Sequence, residues 1–253
     1  MSTVTFSAPS RALGVFAAEM RKARSFPPIG RTLLFGALAL FIAAVFIMSQ
    51  AGQFLAQGRG DELGGLTTAD VMLILLHYGQ IIPILLGAWV IGQDIPIGPR
   101  RTAFLVTAGR DTLFAIKIAT TAIIALIGAA VCVAASLVPL AVAGGDPTAT
   151  IVLAPYWWLI GYWAVIAVVS ASLVAATRSI TFAVTPILVW TIGLSDLLAA
   201  QTPALSGALD QAFKSAYLQA GAMPSATVLI AAAAQVIAAL VIGAVLYQRR
   251  DVR

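Results

Sequence analysis

Charge is scarce in this sequence, and so are the groups that carry polar chemistry. Asp, Glu, Lys and Arg make up 10% of the 253 residues, while 60% are hydrophobic and the mean hydropathy is +0.98. A soluble domain carries roughly 25% charged residues because its surface must face water, so water is not the main solvent here. The single cysteine, Cys132, sits in an apolar run and excludes an intramolecular disulfide framework. One histidine, His77, without a cysteine pair leaves no ordinary ligand set for a structural zinc. The chain has no G-x-x-x-x-G-K-[ST] loop to cradle ATP phosphates and no H-E-x-x-H zinc helix. It also lacks a G-x-S-x-G nucleophile elbow.

What the sequence has is long apolar runs. About 20 mainly apolar residues cross about 30 Å of hydrocarbon, and six stretches approach that length: Thr32 to Gly52, Val71 to Gln93, Ile118 to Ala143, Tyr156 to Thr177, Ile180 to Ser195 and Ala226 to Gln248. The fifth is the shortest. The expected fold class is an all-α membrane protein of six transmembrane helices. One domain would cover 1–253, with a cytoplasmic tail and interfacial helix over 1–31, the spans over 32–248 and a short cytoplasmic tail over 249–253. No cluster of carboxylates lies inside the runs, as a proton relay or metal-dependent transferase would require. The first run follows a basic tail and is too long for a secretory signal core, so it reads as a retained signal anchor.

The net charge of +5 and pI near 9.8 do not indicate a nucleic-acid partner, because the basic residues flank apolar runs and form no patch on a solvated face. Their distribution sets orientation instead, since cytoplasmic loops retain Lys and Arg. With the N-terminus inside, one side holds Arg11, Arg21, Lys22, Arg24, Arg31, Arg100, Arg101, Arg110, Lys117, Arg178, Arg249, Arg250 and Arg253, leaving Arg59 and Lys214 opposite. Asp61, Glu62, Asp70, Asp146, Asp196 and Asp210 fall on that opposite side, and Tyr156, Trp157 and Trp158 begin the fourth span at its interface. The expectation is a multi-pass protein of the inner (cytoplasmic) membrane with both termini inside.

Three flanking segments carry further pattern. From Arg11 to Arg24, Leu13, Phe16, Ala17 and Met20 recur at helical spacing with Arg21, Lys22 and Arg24 in reach of headgroups. The pattern suits a helix lying in contact with membrane lipids; a solvated basic tail is the plainer alternative. Pro27-Pro28 supplies a break before the first span. Between the second and third runs, Asp94 to Lys117 opens with Pro96, Gly98 and Pro99, which no regular helix continues through, then turns helical from Arg100 to Ile118. It reads either as a docking surface for a cytoplasmic partner or as a basic loop held inside by its charge. On the outer side, Leu205, Leu209, Phe213 and Tyr217 mark a short amphipathic helix between Thr202 and Pro224, too polar to span.

Polar residues within the runs are the candidates for a substrate path. His77, Tyr78 and Gln80 lie in the outer part of the second span, where polar side chains face protein or a water-filled cavity. His77 is equally a packing histidine, and a membrane-embedded enzyme would have it as the sole plausible catalyst. Thr185-Pro186 should kink the fifth span, shaping a cavity or easing packing. Ala167, Ala171 and Ala175 permit close helix contact.

The order of these features resembles the ABC type-2 exporter permeases, the membrane subunits of ATP-driven exporters that lack a fused ATPase, and the resemblance covers nearly the whole chain. It is carried by Glu19-Met20-Arg21-Lys22 at the start, Gly79-Gln80, Gly92-Gln93-Asp94, and then Gly98, Arg101-Thr102, Leu105, Arg110 and Lys117. The chain departs from that pattern at Asp94, where Glu is common, and at Pro96 and Pro99. The resemblance implies that Asp94, Gly98, Arg100, Arg101, Thr102 and Arg110 belong to a segment contacting an ABC ATPase subunit. It implies no cofactor in this chain, with ATP and Mg on the partner, and a second permease copy or a related permease chain completing the path. A non-transporting assembly or sensor subunit is the remaining alternative.

Overall fold

The computed structural model describes residues 8–57, 68–95, 109–142, 154–195, 197, 201 and 226–249, and among these there is no strand. Eight α-helices follow in chain order: α1 (Ala8–Ser25), α2 (Pro27–Ala56), α3 (Thr68–Tyr78), α4 (Ile81–Gly92), α5 (Arg110–Val142), α6 (Ala154–Thr177), α7 (Ile180–Val189) and α8 (Ala226–Arg249), with a π-helical turn, Trp190–Leu194, extending α7. Among the described residues, four segments are long and apolar enough to cross a membrane: Pro27–Gln50, Met72–Gly92, Arg110–Pro139 and Tyr156–Thr177. The fifth and sixth expected spans rest on shorter apolar helices, Ile180–Leu194 and Ala232–Gln248.

The second span is not one rod. Pro83 lacks the N–H that a continuous helix would direct to the carbonyl of Gly79. That carbonyl instead accepts from Ile82 N–H at 3.0 Å, and Gln80 N–H donates to His77 O at 3.2 Å. Two tightened i to i−3 turns thus separate α3 from α4.

The third helix differs in the other direction. Its sequence offers no breaker between Arg110 and Lys117, so those residues form the first two turns of α5 rather than a separate cytoplasmic helix. The earlier part of that expected helix, with Gly98, Arg100, Arg101 and Thr102, lies outside the described residues, as does the outer segment 202–224. Between α6 and α7 the chain turns at Arg178, whose φ of 58° is left-handed, and Ser179 then caps α7 by accepting from Phe182 N–H at 3.3 Å.

The long helix α6 is the hub, packing against α4, α5, α7 and α8. Its Ala167, Ala171 and Ala175 are buried, in line with the small-residue spacing. Gly87 of α4 passes so close to Ala167 that a Cβ would fall 2.0 Å from its carbonyl oxygen, and Ser170 Oγ donates to Ile84 O at 2.7 Å across the same crossing. Backbones approach this closely only where side chains are absent or small.

Lys22, Arg110 and Lys117 lie at one end of the bundle. There α1 meets the end of α4 and the start of α5 through Lys22, Glu19, Asp94 and Lys117. Phe26, ahead of α2, lies edge-on to Trp89 at 6.3 Å. At the same end Ile180 of α7 abuts Gly92, and Arg110 reaches the carboxyl end of α8.

Candidate functional site: a buried charge cluster and a polar core contact

Four charged side chains meet where α1, α4 and α5 converge. Asp94 contacts Lys22 through Oδ1 and Lys117 through Oδ2, and Lys117 Nζ also donates to Glu19 Oε2 at 2.6 Å. Lys117, Asp94 and Glu19 are all buried, their side chains 1%, 3% and 8% exposed, while Lys22 retains 34%. An isolated charge in such surroundings is very costly, and only pairing with an opposite charge makes its burial tolerable. Two acids and two bases give this cluster zero net formal charge. Burial alone pushes the Asp94 carboxyl upward. Lys117 and then Lys22, through charge and hydrogen bonding, outweigh that and hold it below its ordinary value of 3.8. Asp94 is therefore ionised at neutral pH, as the cluster requires.

The cluster redirects the first helix. Lys22, expected to reach lipid headgroups, turns inward to Asp94, because Glu19 one turn earlier already points at Lys117. Leu13 remains 69% exposed, Phe16 and Met20 are half-buried, and Arg21 is exposed with its Nε donating to Ala17 O at 3.2 Å. The helix thus has an outward face of Leu13, Ala17 and Arg21 and an inward face centred on Glu19 and Ala23. Arg110 is likewise engaged: its Nη1 donates to Gln248 O at 2.9 Å, Gln248 Nε2 donates to Asp111, and Phe114 packs on Tyr247 at 5.5 Å. Its guanidinium supplies a donor to the carboxyl end of α8, where carbonyls lack helical partners.

The intramembrane candidates do not converge on one site. His77 is buried, edge-on to the half-exposed ring of Tyr78 at 5.5 Å. Thr185 and Pro186 are exposed on α7. Gln80 joins a network: fully buried at the break between α3 and α4, it accepts from Tyr162 Oη and donates from Nε2 to Thr191 O at 3.0 Å. One side chain thereby ties the broken span to α6 and to the π turn after α7. Pro83, Tyr162 and Thr191 were not singled out by the sequence reading. The available signal was Pro83, three residues after a buried-polarity candidate and inside an apolar run.

Comparison with protein-family models, curated proteins and solved structures returns no match.

Proposed function

We propose that this chain is the membrane permease subunit of an ATP-driven ABC exporter, with six spans and both termini on the cytoplasmic side of the inner membrane. A second permease copy or related chain would share the substrate path, and separate ABC ATPase subunits would hydrolyse ATP with Mg. The observation carrying the reading is the cluster of Glu19, Lys22, Asp94 and Lys117. It fastens the basic first helix to both flanks of the basic segment 95–109, so a push on that segment reaches α1, α4 and α5 together. Asp94 and Arg110 are anchors in this scheme, engaged inside the protein, while Gly98, Arg100, Arg101 and Thr102 contact the ATPase.

Movement would then pass along α4 to its junction with α3 and through Gln80 to α6 and the π turn. In this reading the shorter apolar helices α7 and α8 would be the fifth and sixth spans, and the excess of Lys and Arg in the segments assigned to the inside supports the orientation. Reversing charge at Arg100 and Arg101 is expected to leave the protein in the membrane but separate ATP hydrolysis from transport in the assembled exporter. Unchanged export in that double variant would reject the docking role.

A further inference from the structure

The charge cluster takes up the inward cation of α1, Lys22, and leaves others outside it. Leu13, Ala17, Arg21 and Arg24 recur at helical spacing and all are exposed, on the side of α1 away from Glu19 and Ala23. After the corner between α1 and α2, Arg31 opens a second exposed stripe, continued by Leu34, Phe35, Leu38, Ile42 and Phe46. That corner is tight. Phe26 N–H donates to Ala23 O at 3.3 Å, Ile29 N–H donates to Phe26 O at 3.1 Å, and the Phe26 ring lies against Trp89. Arg21, Arg24 and Arg31 therefore all stand within two helical turns of one fixed point.

What covers this surface follows from its charge and its position. Among the described residues, no carboxylate meets any of the three arginines: Glu19 and Asp94 face Lys117 and Lys22, and Arg21 donates only to Ala17 O of its own helix. Three positive charges thus stand uncompensated beside a cluster whose formal charge is zero. Each guanidinium offers a planar fork of donors that matches phosphate oxygens in pairs. Position narrows the source of that phosphate. Arg31 begins the same stripe as Leu34, Phe35 and Leu38, which face acyl chains where α2 crosses a membrane, and an arginine at the end of such a stripe reaches the headgroups.

We propose that the corner of α1 and α2 binds the headgroups of anionic phospholipids, with Arg21, Arg24 and Arg31 on their phosphates. A zwitterionic headgroup carries its own ammonium beside the phosphate and so gains less from three uncompensated cations. An acidic protein surface would suit the arginines but not the apolar stripe that runs on from Arg31. Glu19 and Lys22 face inward while Arg21 and Arg24 face outward from the same two turns, so core pairing and headgroup binding hold α1 from opposite sides. The site rests on α2 spanning the membrane, not on the permease reading.

The test uses the full chain alone in nanodiscs of mixed phosphatidylglycerol and phosphatidylcholine, with a diazirine placed near the headgroup of one lipid or the other. The phosphatidylglycerol probe is expected to label the segment 13–35 in preference to the phosphatidylcholine probe, and the preference should fade as salt is added. Each of Arg21→Gln, Arg24→Gln and Arg31→Gln should lower it, by roughly fivefold per arginine, and the triple variant should abolish it. Lysine at all three positions should keep most of it. The thermal midpoint of the triple glutamine variant in detergent should match the wild type, because these side chains are exposed and outside the cluster; if that variant does not fold, the single variants and the salt dependence decide. Equal labelling by the two probes would overturn the proposal and leave the arginines to an acidic protein. A phosphatidylglycerol preference that survives the glutamine substitutions would overturn it as well. Because no ATPase is present, failure here leaves the permease reading standing, and success does not establish it.

Discussion

The Asp94 carboxylate at the end of α4 and the Lys117 ammonium two turns into α5 form an ion pair closed off from solvent, with side chains 3% and 1% exposed. Removing Lys117 takes from the buried Glu19 its ion-pair partner and leaves Asp94 with Lys22 alone. Lys117→Met should therefore destabilise the purified protein by about 3–5 kcal/mol, read as a fall in its thermal midpoint in mild detergent. The double variant Lys117→Met, Asp94→Leu should recover part of that loss, since the buried Asp94 charge goes together with the charge that faced it.

The same carboxylate sets a pH dependence. Its value in the folded protein lies below 3.8, so its contribution to stability is fully present above 3.8 and is lost as pH falls through the lower folded value. Wild-type protein should exceed Asp94→Asn in thermal midpoint by a constant margin from pH 7 to pH 5. The margin should shrink as the pH drops below that range.

At the crossing of α4 and α6, Gly87→Ala would put a methyl 2.0 Å from Ala167 O. The helices must separate, stretching the bond from Ser170 to Ile84 as well. A loss of about 1–3 kcal/mol is expected, measured by the same melting assay, whereas Gly161→Ala, where a Cβ meets nothing within 4 Å, should be close to neutral.

Gln80→Leu keeps much of the side-chain bulk but withdraws the bonds that Gln80 makes with Tyr162 Oη and Thr191 O. Each group left buried without its bond costs about 1–3 kcal/mol. Amide exchange of the π turn Trp190–Leu194 should quicken, reporting that the link from the second span to α7 has been cut.

Much of this architecture was legible in the residues because lipid imposes length. The helices of α2, α5 and α6 cover the first, third and fourth apolar runs, and the break at Pro27-Pro28 separates α1 from α2. The interruption at Gly79–Gln80 was missed because hydropathy counts Pro83 as one residue among many and is blind to its missing N–H. Arg110 to Lys117 reads as helix in the sequence, but as the end of a separate cytoplasmic one, because Lys117, as a charge, marks the edge of a span; buried against Glu19 and Asp94 it behaves as helix interior. Glu19, Lys22, Asp94 and Lys117 were all marked as features of the sequence. Their meeting was not legible, because nothing in linear spacing says that α1 folds back on α5.

The central claim is that this chain moves cargo only when another protein hydrolyses ATP. The most direct measurement is to isolate it from its native membrane in mild detergent, identify the bound chains and assay ATP-dependent uptake in reconstituted vesicles. The account predicts recovery of a P-loop ATPase in stoichiometric amount, with ATP hydrolysis and transport both lost when that chain is stripped away. A vesicle preparation that transports with no ATPase present would contradict it.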